Sequence, residues 1–316
     1  MEQHGERALV VSMDPEVSEA GRQPHMERVT VADGVSLAVR TWEPDSSSGA
    51  GAGPGTGAPL VLLHGIAGTA AGWDAVARRL AASGRRAYAV DFRGHGESDR
   101  PDGGYDLATL GLDLAALVAG LGLERPVIVG HSLGAWAILK AIADGHVDAG
   151  GIGLVEGGLV DASAQFPSFA EAMDRLALPP VGGMPVARLE GYLRQANPGW
   201  SSERLAAALS AFDVASDGTV SWRLTGPRFE ALIRALWEAR VSDWWPSLNT
   251  VPPTRALAVV ADTGDTAWTA AKRDADSRLR ARAPGLRVEW LGTDHEVHLD
   301  RPERVAALLL EAFAST

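Results

Sequence analysis

Short runs of consecutive apolar residues alternate with amphipathic segments along much of this chain. The apolar runs, each long enough for a buried strand, are Leu60–Leu63, Ala87–Val90, Pro126–Val129, Ile152–Val155, Arg255–Val260 and Arg287–Leu291. Apolar residues three or four positions apart predict helices over Trp73–Ala82, Leu107–Leu121, Leu133–Ala143, Thr269–Ala283 and Pro302–Phe313. Continuously apolar strands separated by helices indicate a parallel sheet covered by helices on both faces.

The N-terminal part of the chain carries weaker signals. A hairpin of two strands is predicted over Val29–Trp42, because the Asp33-Gly34 pair between apolar residues is typical of a tight turn. Residues 1–28 show no sustained period and are expected to form a flexible tail. Residues 43–59 are rich in Gly, Ser, Ala and Pro and predict a surface connection. Their GAGPGTG sequence is no dinucleotide loop, since it neither follows a strand nor opens a helix.

Residues 159–241 follow a different pattern, in which helical segments succeed one another without an apolar strand between them. The segments are Phe169–Leu178, Pro185–Ala196, Ser202–Phe212 and Pro227–Arg240. Because the strand–helix alternation then resumes, this stretch is an insertion in a core formed by residues 29–158 and 242–316. We call residues 159–241 the cap, since a helical insertion of this kind is typical of a lid over a site.

Composition and charge narrow the class of protein. The hydrophobic share of 46% and the charged share of 22% are those of a globular protein. The chain has no cysteine, which excludes disulfides, thiolate metal sites and a cysteine nucleophile. A net charge of −11 argues against nucleic acid or an anionic membrane as a partner, because both need a basic face. Without a membrane-spanning run or an N-terminal secretion signal, we expect a cytoplasmic protein.

The sequence Gly130-His131-Ser132-Leu133-Gly134 is the most informative part of the chain for chemistry. It lies between a predicted strand and the helix that begins at Leu133. A sharp turn from strand to helix holds its central residue in a strained, exposed conformation, and glycines two positions away avoid collisions there. The helix N-terminus favours negative charge at the same point. We therefore predict that Ser132 is a nucleophile, which needs a base and an oxyanion site.

Several ordered motifs resemble the α/β-hydrolase superfamily over most of residues 29–316. His64-Gly65-Ile66-Ala67-Gly68 resembles the oxyanion loop, Asp91–Ser98 the structural turn after the fourth strand, and Gly292-Thr293-Asp294-His295 the segment of the catalytic histidine. The resemblance implies an α/β-hydrolase fold, with a mostly parallel twisted sheet, helices on both faces and a helical cap inserted after strand six. It also implies that His295 is the base and that Ile66 and Leu133 supply the oxyanion N–H donors.

Two carboxylates are candidates for the third member of a triad. The usual position in the superfamily follows the strand over residues 255–260, where Asp265 matches the register and Asp262 replaces a glycine. Glu156 ends the strand over residues 152–155, 24 residues after Ser132. This second arrangement resembles the lactonases that open zearalenone-type macrolactones. Both acids remain candidates. The nucleophile position holds Ser132, whereas the related dehalogenases and epoxide hydrolases attack with an aspartate, so acyl transfer is the expected chemistry.

No cofactor and no metal is expected. His64, His95 and His131 belong to the family motifs and are interpreted as local packing or hydrogen-bonding residues. His298 follows His295 by three positions, but the chain offers no compensating ligand cluster beside them.

The cap should set the substrate, because it is rich in large apolar side chains. Most of them are expected to hold the cap together, yet such a lid over a serine hydrolase indicates a bulky apolar or aromatic substrate. The residues predicted to contact it, together with two from the oxyanion loop, are His64, Gly65, Met184, Tyr192, Trp200, Trp222 and Trp237.

Three hypotheses of function follow. The first is a carboxylic ester hydrolase for a hydrophobic ester or lactone, with a zearalenone-type macrolactone as its most specific form. The second keeps the same residues but cleaves a carbon–carbon bond in a vinylogous diketone. The third is a non-hydrolytic ligand receptor on the same fold. The expected partner is a small hydrophobic molecule, and an apolar face of the cap is suited to pairing two copies in a homodimer.

Overall fold

An eight-stranded sheet forms the centre of the computed structural model, which describes residues 23–44, 57–224, 226–250, 255–264, 266–314 and 316. In chain order the strands are β1 (His25–Thr30), β2 (Ser36–Trp42), β3 (Leu60–Leu63), β4 (Ala87–Val90), β5 (Val127–His131), β6 (Gly151–Val155), β7 (Phe212–Val214), β8 (Val220–Trp222), β9 (Ala256–Asp262) and β10 (Leu286–Gly292). The sheet order is β1-β2-β4-β3-β5-β6-β9-β10, antiparallel at β1, β2 and β4 and parallel from β4 to β10. This confirms the predicted mostly parallel sheet.

Helices cover both faces of the sheet, as predicted. They are α1 (Asp74–Ala82), α2 (Leu107–Gly120), α3 (Leu133–Ala143), α4 (Ala162–Gln165), α5 (Phe169–Arg175), α6 (Val186–Ala196), α7 (Ser202–Leu209), α8 (Gly226–Glu238), α9 (Ala267–Arg282), α10 (Val297–Asp300) and α11 (Pro302–Ala312). Helices α1 and α11 pack on one face, and α2, α3 and α9 pack on the other. Within the described part of the chain, no helix is long and apolar enough to cross a membrane.

The apolar runs of the strands contribute side chains to the core on both faces of the sheet. In β3, Leu60 and Leu62 point to the layer of α1 and α11, while Val61 and Leu63 point to the layer of α2, α3 and α9. All four side chains are at most 1% exposed. Side chains alternate across a strand, so a sheet covered on both faces needs an apolar residue at every position. Each such side chain contributes about 1.5–3 kcal/mol through burial.

The N-terminal hairpin differs from its prediction at one end. The turn lies at Asp33-Gly34, where both residues have positive φ, of 58° and 73°. Strand β1, however, begins at His25, inside the segment assigned to the flexible tail. Side-chain contacts hold this extension in place: the guanidinium of Arg28 binds Ser36 and Asp99, and Glu27 accepts a hydrogen bond from Thr41. Residues 1–22 and 45–56, which include most of the predicted tail and surface connection, lie outside the described residues.

The cap contains a hairpin that the sequence analysis did not predict. Strands β7 and β8 pair in antiparallel fashion, so Phe212 belongs to a strand, and the helix predicted to reach it ends at Leu209. The turn between the strands holds Asp217 and Gly218, with Gly218 at φ 80°. An Asp-Gly pair between alternating apolar residues is the signal that was available in the sequence.

A buried ion pair fastens the segment after β4 to α2. The guanidinium of Arg93 binds both carboxylate oxygens of Asp113, at 2.6 and 2.7 Å, and both side chains are at most 2% exposed. We expect Asp113→Ala to lower the free energy of unfolding by roughly 3–5 kcal/mol, because it leaves a buried guanidinium unpaired. Denaturant unfolding measures the change. As a control, Glu190→Ala removes the exposed partner of Arg194 and should change stability by less than about 1 kcal/mol; equal losses in the two variants would contradict this account.

Candidate active site

The chemistry-bearing residues meet at the carboxyl edge of the sheet. Gly65 follows β3, Ser132 follows β5 directly, Glu156 follows β6 directly, and His295 lies three residues beyond β10. The strands β3, β5, β6, β9 and β10 are consecutive neighbours in the sheet, so their ends lie side by side. Open α/β sheets bind their ligands at this edge, outside the carboxyl ends of the strands.

Ser132 occupies a strained turn between β5 and α3. Its backbone has φ 48° and ψ −113°, a conformation that residues other than glycine rarely adopt. The turn is closed by contacts without space for side chains: a Cβ on Gly130 would lie 2.3 Å from the carbonyl carbon of Gly134, and a Cβ on Gly134 would lie 2.6 Å from the backbone oxygen of Leu63. The two glycines of the motif therefore permit the approach of β5, α3 and β3 that presents Ser132.

Two backbone N–H groups lie free beside this turn. Leu133 is the first residue of α3, so its N–H has no partner within the helix. Ile66 lies in a tight turn closed by a hydrogen bond from the N–H of Gly68 to the oxygen of Gly65. Among the described residues, neither the Ile66 nor the Leu133 N–H has a protein acceptor. A Cβ on Gly65 would lie 3.2 Å from the Cβ of Ser132, which shows how closely the loop approaches the serine.

The turn after β4 holds the Gly65–Gly68 loop in place. Asp91 accepts hydrogen bonds from the N–H groups of Ala70 and Glu97, at 2.6 and 3.0 Å. His95 Nε2 donates to the oxygen of Ile66 at 2.8 Å, which fixes the peptide between Ile66 and Ala67 within the loop. Burial raises the pKa of Asp91, and its two N–H donors partly offset that rise. The structural role assigned to residues 91–98 thus has a physical basis in these contacts.

Glu156 is a buried carboxylate held from three directions. It has φ 48°, and its side chain is 3% exposed. Oε2 accepts a hydrogen bond from the N–H of Ala261 at 2.7 Å, and Oε1 accepts one from Lys272 Nζ at 2.7 Å. Oε1 also lies 3.6 Å from Nδ1 of His295. Burial acts to raise the pKa of Glu156, but the interactions with His295, Lys272 and Ala261 outweigh it and lower the pKa, so the carboxylate is ionised.

The imidazole of His295 remains accessible while Glu156 lies behind it. The side chain is 49% exposed, and its backbone oxygen accepts a hydrogen bond from His131 Nε2 at 3.0 Å. Desolvation lowers the pKa of His295, whereas its interaction with Glu156 and the charges of Glu296 and Glu156 raise it above its ordinary value. A carboxylate at Nδ1 leaves Nε2 unprotonated in the neutral ring, and that is the form a general base requires.

The second candidate acid, Asp265, lies outside the described residues, so its position relative to His295 stays a prediction. Its neighbour Asp262 turns away to another partner: it binds Arg273 at 2.6 Å and accepts a hydrogen bond from the N–H of Gly264. Glu156 is the acid that the described residues bring to His295.

His64 was predicted both to bond locally and to contact a substrate, and its placement supports the first role. Nδ1 donates to the oxygen of Gly65 at 2.7 Å, and Nε2 accepts from the N–H of Phe92 at 3.1 Å. The side chain is 1% exposed, and burial lowers its pKa well below the ordinary value. With both ring nitrogens engaged, no polar atom of His64 is left for a substrate, whereas Gly65 borders Ser132 directly.

A narrow crevice separates the cap from the Gly65–Gly68 loop. It is lined by Ile66, Ala67, Gly68, Thr69, His95, Gly96, Leu178, Ala211, Trp222, Arg223 and Leu224. Its volume is about 10 Å³, close to the minimum for one water molecule. Trp222 therefore lies at the border between cap and core, with its indole N–H bonded to the oxygen of Pro179. Met184 packs instead in the internal apolar cluster of the cap, around Leu189.

The other predicted contact residues are dispersed. Trp200 lies under the guanidinium of Arg204 and lines an open, polar depression of about 500 Å³ that also includes Thr293 and Asp294, the residues before His295. Trp237 packs against the core, and its indole N–H binds the oxygen of Phe166. Tyr192 is 62% exposed on the cap. The structure thus brings Trp222 and Trp200 toward the site edge and leaves Tyr192 and Trp237 in other surroundings.

One set of three side chains in the described chain has metal-binding residue types close together. Potential ligand atoms of His131, Glu296 and His298 lie within 4.8 Å of one another. Ligands on tetrahedral zinc are about 3.4 Å apart, so the set is more open than such an ion requires. The ring centroids of His131 and His298 lie 4.5 Å apart, and those of His298 and Trp73 lie 4.4 Å apart, with the rings tilted by 41° and 33°. We interpret these residues as the packed floor beneath His295 and assign no metal to them.

Sequence reasoning missed Lys272, which contacts Glu156 from α9. A signal was available, because Lys272 falls on the buried face of the helix with Ala275 and Leu279. A lysine on an apolar stripe needs a partner inside the protein.

A nucleophile-type turn on a mostly parallel sheet, with a histidine and an acid at the neighbouring strand ends, defines the α/β hydrolases, and the chain belongs to this family. A profile of the alpha/beta hydrolase family matches residues 60–308. The chain is 36% identical over 118 residues to the non-heme chloroperoxidase of Streptomyces lividans, covering 37% of this chain and 39% of the relative. The non-heme haloperoxidase of Rhodococcus erythropolis is 34% identical over 118 residues, 37% of this chain and 39% of that relative.

The chain thus matches about two fifths of the length of these curated relatives. Among solved structures, an E-2-(acetamidomethylene)succinate hydrolase superimposes with a TM-score of 0.68 at 22% identity, over 93% of this chain and all of that one. The enol-lactonase of Burkholderia xenovorans LB400 gives a TM-score of 0.65 at 19% identity, over 92% of this chain and all of that one. These likenesses confirm the α/β-hydrolase fold.

Proposed function

We propose that the protein is a serine hydrolase that cleaves a hydrophobic carboxylic ester or lactone through an acyl-enzyme. The observation that carries this proposal is the strained Ser132 turn, whose preceding residue His131 contacts His295, with the buried carboxylate of Glu156 at Nδ1 of that histidine. Backing by a carboxylate keeps the imidazole in the tautomer that can accept a proton from a serine. In this proposal Ser132, His295 and Glu156 form the triad.

The acylation step follows from these positions. Ser132 Oγ attacks the carbonyl carbon of the ester while its proton passes to His295 Nε2. The oxygen of the tetrahedral intermediate takes up negative charge and is stabilised by the N–H groups of Ile66 and Leu133. The imidazolium then gives its proton to the leaving oxygen as the carbon–oxygen bond breaks. The ionised Glu156 stabilises the imidazolium throughout.

Deacylation repeats the sequence with water. His295 accepts a proton from a water molecule, whose oxygen attacks the acyl carbon, and then returns the proton to Ser132 as the acid departs. With a lactone, the leaving alcohol stays attached to the acyl group, so the product is a single hydroxy acid.

The apolar lining of the crevice supports a hydrophobic substrate. Ile66, Leu178, Trp222 and Leu224 face it from the loop and from the cap. Since its present volume admits about one water molecule, the cap has to shift to admit an acyl group. The resemblance of the Glu156 arrangement to zearalenone-type lactonases makes a macrocyclic lactone the most specific substrate within this proposal.

The experiment compares wild type with Ser132→Ala on a simple aryl ester and on a resorcylic macrolactone, with products identified by mass spectrometry. Ring opening by the wild type alone supports the lactonase form of the proposal. Cleavage of the aryl ester alone supports an esterase and rejects the macrolactone. If neither substrate reacts and a fluorophosphonate fails to label Ser132, the proposal is wrong; a carbon–carbon hydrolase and a ligand receptor are then tested with a vinylogous diketone and by ligand binding.

The pH dependence of the reaction should have an acid limb set by His295. Because Glu156 and Glu296 raise the pKa of His295, protonation extends to higher pH than for a free histidine. Activity requires the neutral ring and is lost as pH falls through this raised pKa. We expect the midpoint of kcat/KM above the ordinary value of about 6.5. Glu296→Gln removes one of the charges and should lower the midpoint; a wild-type midpoint below the ordinary value would contradict the assignment.

A further inference from the structure

Lys272 is a fully enclosed lysine that contacts the acid of the proposed triad. It is 3% exposed, and its Nζ donates to Glu156 Oε1 at 2.7 Å and to the oxygen of Ala261 at 2.5 Å. It is one of two lysines among 29 basic residues. The other, Lys140, is partly exposed and pairs with Asp144 one helical turn away. An enclosed ammonium is unfavourable without a paired charge, so this position depends on Glu156.

The contacts of Glu156 divide its two oxygens between different tasks. Oε2 is fixed by the N–H of Ala261 in β9. Oε1 receives Lys272 on one side and faces His295 Nδ1 on the other. Lys272 also bonds the oxygen of Ala261, so the same strand residue anchors both members of the ion pair. The carboxylate therefore cannot rotate away from His295 without breaking two hydrogen bonds.

We propose that Lys272 is a positioning residue of the active site, which holds the Glu156 carboxylate directed at His295 and, through its own positive charge, sets the pH at which His295 can act as a base. This inference rests on the proposed function, because it assigns Glu156 and His295 to the triad.

Two opposing influences on His295 follow from the position of Lys272. Through its hydrogen bond it keeps the Glu156 carboxylate at Nδ1 of His295, which favours the imidazolium, and through its own charge it disfavours the imidazolium. Among the described residues, the ionisable groups that contact His295 or act on its charge include Glu156 after β6, Lys272 on α9, His131 at the end of β5, Glu296 beside it and His298 on α10. Of these groups, Lys272 is the cation that contacts Oε1 of Glu156, the same oxygen that faces His295.

The first test measures how the rate of Ser132 labelling by a fluorophosphonate depends on pH, because this readout needs no known substrate. Lys272→Gln removes the charge and keeps a hydrogen-bond donor. With the charge gone and Glu156 still ionised, the imidazolium is favoured, so the acid limb should move to higher pH by roughly one unit. Lys272→Arg restores a cation and should return the limb toward the wild-type position.

Lys140→Gln is the matched control, since it removes the other lysine and its carboxylate partner is not at the site. Its profile should coincide with that of wild type. A Lys272→Gln profile that is lower at every pH but has an unchanged midpoint would overturn the proposal, because a purely structural role reduces the amount of active protein without moving the titration.

A second measurement needs no destabilising substitution. With two lysines in the chain, the ¹⁵N resonance of Lys272 Nζ can be assigned by its persistence in Lys140→Gln. We expect it to shift with pH at the same midpoint as the acid limb of labelling, because Lys272 and His295 share Glu156 Oε1. An Nζ signal that ignores this midpoint would overturn the proposal. If wild type is not labelled at all, the proposed function fails, and the midpoint of the Lys272 signal is then compared with that of the His295 ring resonances, which tests Lys272 separately.

Discussion

Replacing Ser132 with alanine is expected to lower kcat for ester cleavage by roughly 10⁶-fold, the scale seen when the nucleophile of a serine hydrolase is removed. The reaction loses its covalent intermediate, and the remaining rate comes from substrate binding and from the backbone N–H groups of Leu133 and Ile66. Steady-state turnover of an aryl ester measures the effect, with active protein quantified separately.

Controls separate loss of chemistry from loss of fold. Alanine at position 132 adopts the same turn at no greater strain than serine, and Ser132 has no side-chain capping bond to lose. Unfolding free energy should therefore change by less than about 0.5 kcal/mol. His295→Ala should cost about as much in kcat as Ser132→Ala, and the double variant should be no worse than either, because the two groups act as a unit. Additive losses would mean that the two residues act independently, contrary to the triad.

Glu156→Gln is the change with the second largest expected effect, a fall in kcat of roughly 10⁴-fold. Glutamine has the same shape but lacks the charge that stabilises the imidazolium, and its amide can favour the wrong tautomer of His295. The rival assignment is tested by Asp265→Asn, and Asp262→Asn serves as a control because its partner is Arg273. Both asparagine variants should keep turnover within a few-fold of wild type. Loss of turnover in Asp265→Asn with retention in Glu156→Gln would transfer the acid role to Asp265.

Stability complicates Glu156→Gln, since it leaves the ammonium of Lys272 enclosed without its counter-charge. Breaking such a pair costs roughly 3–5 kcal/mol of unfolding free energy. The double variant Glu156→Gln with Lys272→Met removes both charges and should recover much of the stability. Its kcat should stay low. The stability of Glu156→Gln falls because Lys272 is left unpaired, which the second substitution corrects, whereas kcat falls because the carboxylate at Nδ1 of His295 is missing, which it does not correct.

Much of the fold could be predicted because its signals are local. The buried strands are continuous apolar runs, as at Leu60–Leu63, and the core helices repeat apolar residues every three or four positions. The turn at Ser132 was visible for the same reason, since its glycines lie two residues away and the strand and helix adjoin it. The hairpin in the cap was missed although its Asp217-Gly218 turn is local, because Phe212 was attributed to the end of a helix and strands of three residues are too short to show a sustained alternation.

The sequence did not indicate which of the predicted contact residues lie at the site. Trp222 and Tyr192 have equal claims in the sequence as large side chains of the cap, yet one borders the crevice and the other is exposed. Periodicity indicates which face of a helix is buried, but it does not indicate what that face meets. His64 shows the same limit, because one of its two backbone partners, the N–H of Phe92, lies 28 residues further along the chain.

By itself the sequence determined the parallel sheet, the insertion after its sixth strand and the strained position of Ser132, since each depends on residues only a few positions apart. Tertiary structure alone brought Glu156 to His295 and placed Lys272 behind it. Glu156 meets Ala261 across 105 residues and Lys272 across 116. Such contacts are set by the order of strands, which places β6 next to β9 under α9, and a strand order is stabilised by the packing of the whole sheet rather than by any local pattern.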